Sequence, residues 1–236
     1  VQLLFKQTSS TSVLTTAFTK DSLIVNALDN VTGKLFEIPY KDGQFGRSVE
    51  IPFKKNTHVV LAAASPFKSD FFFTVSGFLN PDSLYFYNKA KAQYAKVKSL
   101  PSKFDSQGME VQQKWATSAD GTKVPYFLIG KTEVLKKGKA PTLLYGYGGF
   151  EISLTPKYKP VVGKLWLEKG GVYVMANIRG GGEFGPRWHQ AALKTNRQRA
   201  YDDFIAVGED LVKTGVTSKD KLAIQGGSDG GLLVGA

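Results

Sequence analysis

The sequence contains no cysteine and only two histidines, at positions 58 and 189. The absence of cysteine excludes disulfide bonds, cysteine-ligated zinc and a thiol nucleophile. Two histidines leave little material for a histidine-based metal site, so we expect neither a metal nor another cofactor. No run approaches the roughly 18 uncharged apolar residues of a membrane-spanning helix, and no signal-peptide pattern opens the chain. We therefore expect a soluble protein without a membrane partner, in the cytoplasm, although the lack of cysteine is equally compatible with the bacterial periplasm.

The composition is that of a folded protein with a basic surface. Of the 236 residues, 42% are hydrophobic and 22% charged, a balance that argues against disorder and allows one large or two smaller domains. The formal charge is +11, but the basic excess is spread along the chain. The densest stretch of basic residues, 131–139, contains Gly138 and is followed by Pro141, and it is predicted to be a solvated loop. We expect no nucleic-acid partner.

Residues 1–97 have the pattern of short β-strands separated by turns. Asp, Asn, Gly and Pro residues punctuate the apolar runs, and no segment has a convincing helical period. This spacing favours a β-sandwich or the blades of a propeller, and the absence of a strict repeat leaves that choice open. The predicted strands are 23–28, 34–38, 58–64, 71–75 and 84–87.

Residues 98–110 are polar and form the best candidate for a linker, after which the pattern changes. Asp120-Gly121 predicts a hairpin between strands 110–117 and 122–130. Further on, strands alternate with helical periods, which predicts an open α/β sheet. The predicted strands are 142–145, 172–176 and 222–225; the predicted helices are 187–194 and 199–213, with Asp202 and Asp203 in the first turn of the second helix and Gly215 as its cap.

One motif carries chemistry. Residues 226–230 spell Gly-Gly-Ser-Asp-Gly, a G-x-S-x-G pattern between a predicted strand and an apolar helical run. In a nucleophile elbow the serine occupies a sharp, strained turn, so that its hydroxyl stands exposed above the sheet. The flanking glycines allow close approach of neighbouring backbone, and the amide of Asp229 faces the same space, where it can donate to an oxyanion. The alternative is a glycine-rich turn with an incidental serine.

The serine lacks a partner base in the sequence. Serine is a weak nucleophile that needs one, and in α/β-hydrolases the acid and the histidine follow the serine along the chain. Neither histidine follows Ser228. His189 lies upstream beside Trp188, and we interpret it as a structural or rim residue. We therefore expect the chain to be a truncated piece of a longer enzyme, inactive as an isolated segment because the triad Asp and His are absent.

A second glycine-rich run imitates a nucleotide site. Residues 180–185 fit G-x-G-x-x-G, and Asp202 follows about twenty residues later. Three features depart from the nucleotide-binding pattern, however. Three residues separate the run from the preceding strand, and Pro186 occupies a position at which the helix should already have begun. Asp202 falls at the predicted start of a helix, whereas the pattern requires an acidic residue at the end of a strand. We interpret the run as a loop packed against other backbone, with Arg179 tied into a polar network.

Four linked segments resemble the prolyl oligopeptidase family of serine peptidases. They are 145–150 (YGYGGF), 176–185 (ANIRGGGEFG) with Trp188-His189, 202–204 (DDF) and 226–233 (GGSDGGLL), and the resemblance spans roughly residues 110–236 in order. The resemblance implies an α/β fold in which the C-terminal part, 98–236, is the incomplete N-terminal half of an α/β-hydrolase sheet that stops just after the nucleophile elbow. Residues 1–97 would then be the last blades of a seven-bladed β-propeller.

The resemblance also implies residue roles. Ser228 would be the acylating nucleophile, and the hydroxyl of Tyr147 would stabilise the oxyanion together with the amide of Asp229. Phe150 matches a residue that lines the proline-binding pocket; its alternative role is core packing. For Tyr147 the alternative is a buried aromatic residue beside a glycine turn.

Asp229 departs from the family pattern, because prolyl-cleaving members usually carry Asn at this position. A carboxylate beside a developing oxyanion is unfavourable unless it is paired or turned away. The resemblance implies hydrolysis of peptides after proline, with a narrow propeller channel that restricts the substrates to short peptides. It also implies a monomer, and an acid and base supplied by the rest of the same polypeptide. Three alternatives stay open: an esterase, a dibasic-cleaving oligopeptidase and a non-catalytic homologue.

Overall fold

The computed structural model describes residues 1–236, and the chain divides into two compact units. The first contains Val1–Pro101 and Thr155–Tyr158, and the second contains Ser102–Leu154 and Lys159–Ala236. The predicted boundary after residue 97 falls inside a strand, Gln93–Ser99. No helix is both long enough and apolar enough to cross a lipid bilayer.

The first unit consists of two antiparallel sheets. Their strands are β1 (Thr11–Phe18), β2 (Ser22–Asp29), β3 (Thr32–Lys41), β4 (Gln44–Phe45), β5 (Val49–Ile51), β6 (Thr57–Ala63), β7 (Phe71–Gly77), β8 (Ser83–Asn88) and β9 (Gln93–Ser99). One sheet has the order β1-β2-β3-β4, with β5 paired to β3, and the other has the order β6-β7-β8-β9. All five predicted strands are confirmed, as β2, β3, β6, β7 and β8.

The apolar runs form strands because their alternate side chains share one core. Ile24, Leu35, Val59, Phe71 and Phe73 are buried together, and they come from four different strands in both sheets. The sequence did not indicate β9, since every one of its residues is exposed and its apolar content is low. Nothing in an exposed edge strand imposes the period-two pattern from which strands are predicted.

The second unit is built on a mixed five-stranded sheet. Its strands are β10 (Met109–Thr117), β11 (Lys123–Lys131), β12 (Thr142–Tyr145), β13 (Val172–Ala176) and β14 (Leu222–Gln225). Their order in the sheet is β10-β11-β13-β12-β14. The pairs β10/β11 and β11/β13 are antiparallel, whereas β12 is parallel to both β13 and β14. The predicted hairpin and the three later strands are confirmed, so the α/β class holds for this unit.

Helices flank this sheet, and two sequence predictions for them were wrong. The helices are α1 (Thr132–Lys137), α2 (Pro160–Val162, continued by a π-helical turn Gly163–Leu167), α3 (Pro186–Gln190), α4 (Gln198–Lys213) and α5 (Asp229–Gly235). The predicted loop 131–139 contains α1, and Val134 and Leu135 of this short helix pack against the core of the second unit. Helix α4 begins at Gln198, so Asp202 and Asp203 lie beyond its first turn and Asp203 is fully buried.

Candidate active site

The sheet brings two loops side by side. Strands β12 and β14 are parallel neighbours, with Tyr145 opposite Gln225 at their carboxyl ends. The Gly146 amide donates to the Gln225 carbonyl at 3.2 Å, which continues the pairing one residue beyond β12. The segment that carries Tyr147 and the turn that carries Ser228 therefore leave the sheet at the same edge, where open α/β sheets place their ligand sites.

Ser228 occupies a strained turn between β14 and α5. Its φ is +56° and its ψ is −119°, a backbone conformation that L-residues rarely adopt. Such a conformation costs about 1–3 kcal/mol and persists only where the surroundings enforce it. Gly226 allows the turn to close tightly, because a Cβ at that position would overlap the backbone of Gly230. Ser228 itself is exposed, so the turn presents the hydroxyl to solvent.

The loop that follows β12, residues 146–151, carries Tyr147 and packs directly against this turn; we call it the Tyr147 loop. A Cβ at Gly230 would lie 2.5 Å from the Gly146 carbonyl oxygen and 3.3 Å from the Tyr147 Cα. Only glycine at position 230 permits this approach without displacing backbone. Tyr147 is half-buried. The structure thus brings the Tyr147 backbone next to the first turn of the helix that follows Ser228.

Phe150 lies at the far end of the same loop. Its side chain is 74% exposed, which excludes core packing within the described chain. Both Phe150, at φ +53°, and Glu151, at φ +56°, have left-handed backbone conformations. The Glu151 amide donates to the Gly180 carbonyl at 3.2 Å and fixes the loop at this point. A pocket-lining role for Phe150 stays a prediction.

The Asp229 carboxylate, the departure noted in the sequence, has a cationic partner. Arg197 Nη2 donates to Asp229 Oδ2 at 2.8 Å, and Arg197 Nη1 donates to the Gly148 carbonyl. The carboxylate also lies against Gly149, where a Cβ would overlap it. The condition stated from the sequence, that this carboxylate be paired, is therefore met. Sequence reasoning missed Arg197, because nothing in the sequence distinguishes it from Arg199 two residues later.

Arg179 is the centre of the polar network that the sequence predicts. Its side chain donates to Asp203 through Nε at 2.9 Å and Nη2 at 2.6 Å, and to Asp120 through Nη1 at 2.5 Å. Its backbone amide also donates to Asp203, at 2.9 Å. Burial alone would lower the pKa of Arg179, but the two carboxylates raise it above its ordinary value. The hydrogen bond from Arg179 holds the pKa of Asp120 well below its usual range.

The glycine-rich run 180–185 is filled by protein backbone. A Cβ at Gly180 would overlap the Gly148 carbonyl, and a Cβ at Gly182 would overlap the Glu151 carbonyl. The run is thus a loop packed against other backbone, as predicted, and the structure shows that this backbone belongs to the loop that carries Tyr147. His189 Nδ1 lies 2.6 Å from the Gly180 carbonyl oxygen, in keeping with a structural role.

Glu183 is a buried acid that the sequence reasoning did not single out. Its Oε1 accepts hydrogen bonds from the Leu154 amide at 2.9 Å and from Asn177 Nδ2 at 3.3 Å. Burial raises the pKa of Glu183 to about 7, against the opposing effect of these hydrogen bonds. Its Oε2 and the Asn177 Oδ1 are buried without a hydrogen-bond partner. Only the burial distinguishes this glutamate from a surface acid, and burial is not visible in the sequence.

Comparison with known proteins shows that the chain is similar to peptidases of one family. Residues 160–236 match the family model described as the prolyl oligopeptidase family. The chain is 48% identical over 233 residues to an uncharacterised peptidase of Sinorhizobium fredii and 39% identical over 196 residues to a prolyl endopeptidase of Elizabethkingia meningoseptica. These alignments cover 99% and 83% of this chain, and 32% and 27% of the relatives.

Solved structures give the same result. A post-proline cleaving enzyme from Rickettsia typhi is 37% identical with a TM-score of 0.88, and oligopeptidase B from Trypanosoma brucei is 26% identical with a TM-score of 0.89. The matches cover 99% and 98% of this chain and 34% of each structure. The chain spans about a third of the length of the relatives that it matches.

Proposed function

The chain belongs to the prolyl oligopeptidase family, and from this premise we propose that it is the nucleophile-bearing segment of a serine endopeptidase that cleaves short peptides after proline. The observation that carries the proposal is the backbone of Ser228, at φ +56° in an exposed turn beside the Tyr147 loop. A strained non-glycine residue at a strand-to-helix turn is expected where a hydroxyl must be held out for attack.

The proposed reaction is acyl transfer. The Ser228 hydroxyl oxygen forms a bond to the scissile carbonyl carbon, while its proton passes to a general base. The carbonyl oxygen becomes an oxyanion that accepts hydrogen bonds from the Asp229 amide and the Tyr147 hydroxyl. The base then protonates the leaving amine as the C–N bond breaks, and water releases the acyl group. We propose that the base and its acid partner belong to the part of the relatives' length that this chain does not span.

Proline specificity rests on two considerations. Relatives with substantial identity are named prolyl endopeptidases. Phe150 supplies an exposed aromatic face on the Tyr147 loop, and such a face suits the apolar ring of proline. The competing candidate is cleavage after basic residues, because oligopeptidase B matches the fold equally well. We favour proline because the sequence identity to the post-proline cleaving enzyme is higher.

The architecture and setting complete the proposal. We propose that the first unit is the end of a β-propeller, that the second is the start of an α/β-hydrolase domain, and that the whole protein is a cytoplasmic monomer. The mixed sheet with a nucleophile turn after β14 supports the hydrolase assignment. The short antiparallel strands of the first unit support the propeller assignment.

The test uses the intact polypeptide that contains this segment. A fluorophosphonate probe is expected to label the wild type at Ser228, and S228A is expected to lose both labelling and peptidase activity. S48A is the matched control, since Ser48 is an exposed serine in the other unit. Peptides with proline or arginine before the scissile bond separate the two specificities. A wild type that neither reacts with the probe nor cleaves either peptide would refute the assignment.

A further inference from the structure

Arg197 lies directly before α4 and contacts both loops of the candidate active site. Its Nη1 donates to the carbonyl of Gly148, the residue after Tyr147, and its Nη2 donates at 2.8 Å to the side chain of Asp229, the residue after Ser228. The guanidinium carbon also lies 5.5 Å from the centre of the Tyr201 ring, on α4. One side chain, three-quarters buried, thus connects the sheet-edge loops to a helix that packs on the core.

The contacts fall next to the two groups that would bind the oxyanion. The proposed donors are the Tyr147 hydroxyl and the Asp229 amide, and Arg197 holds the backbone or side chain adjacent to each. Relative displacement of the loops would separate the donors, and a misplacement of about 1 Å in a catalytic arrangement can cost about 100-fold in rate. The planar guanidinium suits this task, because its fork fixes two acceptors in one orientation.

The ion pair with Arg197 also neutralises the negative charge of Asp229. This carboxylate is only 17% exposed and belongs to the residue whose amide faces the developing oxyanion. An unpaired negative charge there would oppose the formation of a second one. The guanidinium of Arg197 neutralises it, which explains how an aspartate is tolerated after the nucleophile.

We propose that Arg197 is a positioning residue for the oxyanion hole: it fixes the Tyr147 loop to the Ser228 turn and compensates the charge of Asp229. This inference rests on the proposed function, since it assigns a role within the same site. It concerns formation of the transition state and leaves substrate binding almost unaffected. The signature is therefore a loss in kcat, together with an equal loss of affinity for a peptide aldehyde, whose adduct with the serine carries the same oxyanion.

The experiment compares R197Q, R197K and the double variant R197Q/D229N in the intact polypeptide, with R199Q as the matched control. Arg199 is exposed and donates only to the Ala191 carbonyl, so R199Q is expected to behave as the wild type. We expect R197Q to lower kcat about 10- to 100-fold with KM within about twofold, and the aldehyde inhibition constant to rise by the same factor. R197K, which keeps the charge but not the fork, is expected to retain more activity than R197Q.

The double variant separates charge from packing. Because Asn at position 229 needs no counter-ion, R197Q/D229N is expected to be more active than R197Q. A double variant no more active than R197Q would refute the charge compensation. A kcat of R197Q within twofold of the wild type, or a loss confined to KM and melting temperature, would refute the positioning role. Either result with an active wild type and inactive S228A leaves the proposed function intact, whereas an inactive, unlabelled wild type refutes both.

Discussion

The two carboxylates that bind Arg179 are expected to contribute very unequally to stability. Asp203 is fully buried and accepts from the Arg179 amide, Nε and Nη2, whereas the Asp120 side chain is 42% exposed. In D203N the Arg179 side chain, 5% exposed, loses its buried counter-charge, and breaking a buried pair in this way costs about 3–5 kcal/mol. In D120N the lost pair is near solvent and is worth about 1 kcal/mol or less.

Scanning calorimetry on the intact polypeptide measures the difference. At about 3 °C per kcal/mol for a unit of this size, D203N is expected to lower the melting temperature of the transition that includes the second unit by roughly 10–15 °C, and D120N by about 3 °C or less. The Arg179 backbone amide donates a hydrogen bond to Asp203, so hydrogen exchange at this amide is expected to accelerate in D203N but not in D120N. Equal shifts for the two variants would refute the argument that burial decides the contribution.

Three further predictions concern the site and its surroundings. Y147F is expected to lower kcat about 100- to 1,000-fold with little change in KM, as steady-state kinetics on a proline peptide would show; an unchanged kcat would exclude the hydroxyl as a donor. G230A is expected to lower activity and melting temperature together, because its Cβ would lie 2.5 Å from the Gly146 carbonyl oxygen, whereas G231A, with open space around the Cβ, serves as its control. The pKa of Glu183 is about 7 in the folded protein and near 4.5 in the unfolded chain. The folded state therefore gains stability from protonated Glu183. This gain is complete below pH 4.5 and is lost as the pH rises to about 7. E183Q is expected to remove a slope of up to about 1.4 kcal/mol per pH unit from denaturation curves in that window, and identical slopes in both proteins would contradict the raised pKa.

The sequence predicted the elements that have a strong hydrophobic period. Strands β12, β13 and β14 were predicted with the bounds that the structure shows, because each is a short run rich in apolar residues between polar turns. Burial follows for β13, whereas the residues of β14 are mostly exposed within this chain. The predicted start of helix α4, residue 199, lies one residue after the observed start at Gln198. The exposed strand β9 and the short helix α1 were missed, since neither has an apolar face long enough to impose a period.

Some features of the candidate site could likewise be predicted from the sequence, and others could not. The sharp turn at Ser228 could be predicted from the sequence alone, because close backbone contacts require glycine at positions 226 and 230, and these glycines can be read directly from the chain. The pairing of Asp229 with Arg197 instead of Arg199, and the burial and raised pKa of Glu183, can be read only from the folded chain. Those properties depend on which loops meet at the edge of the sheet, and contacts between residues 29 to 49 positions apart leave no local pattern in the chain.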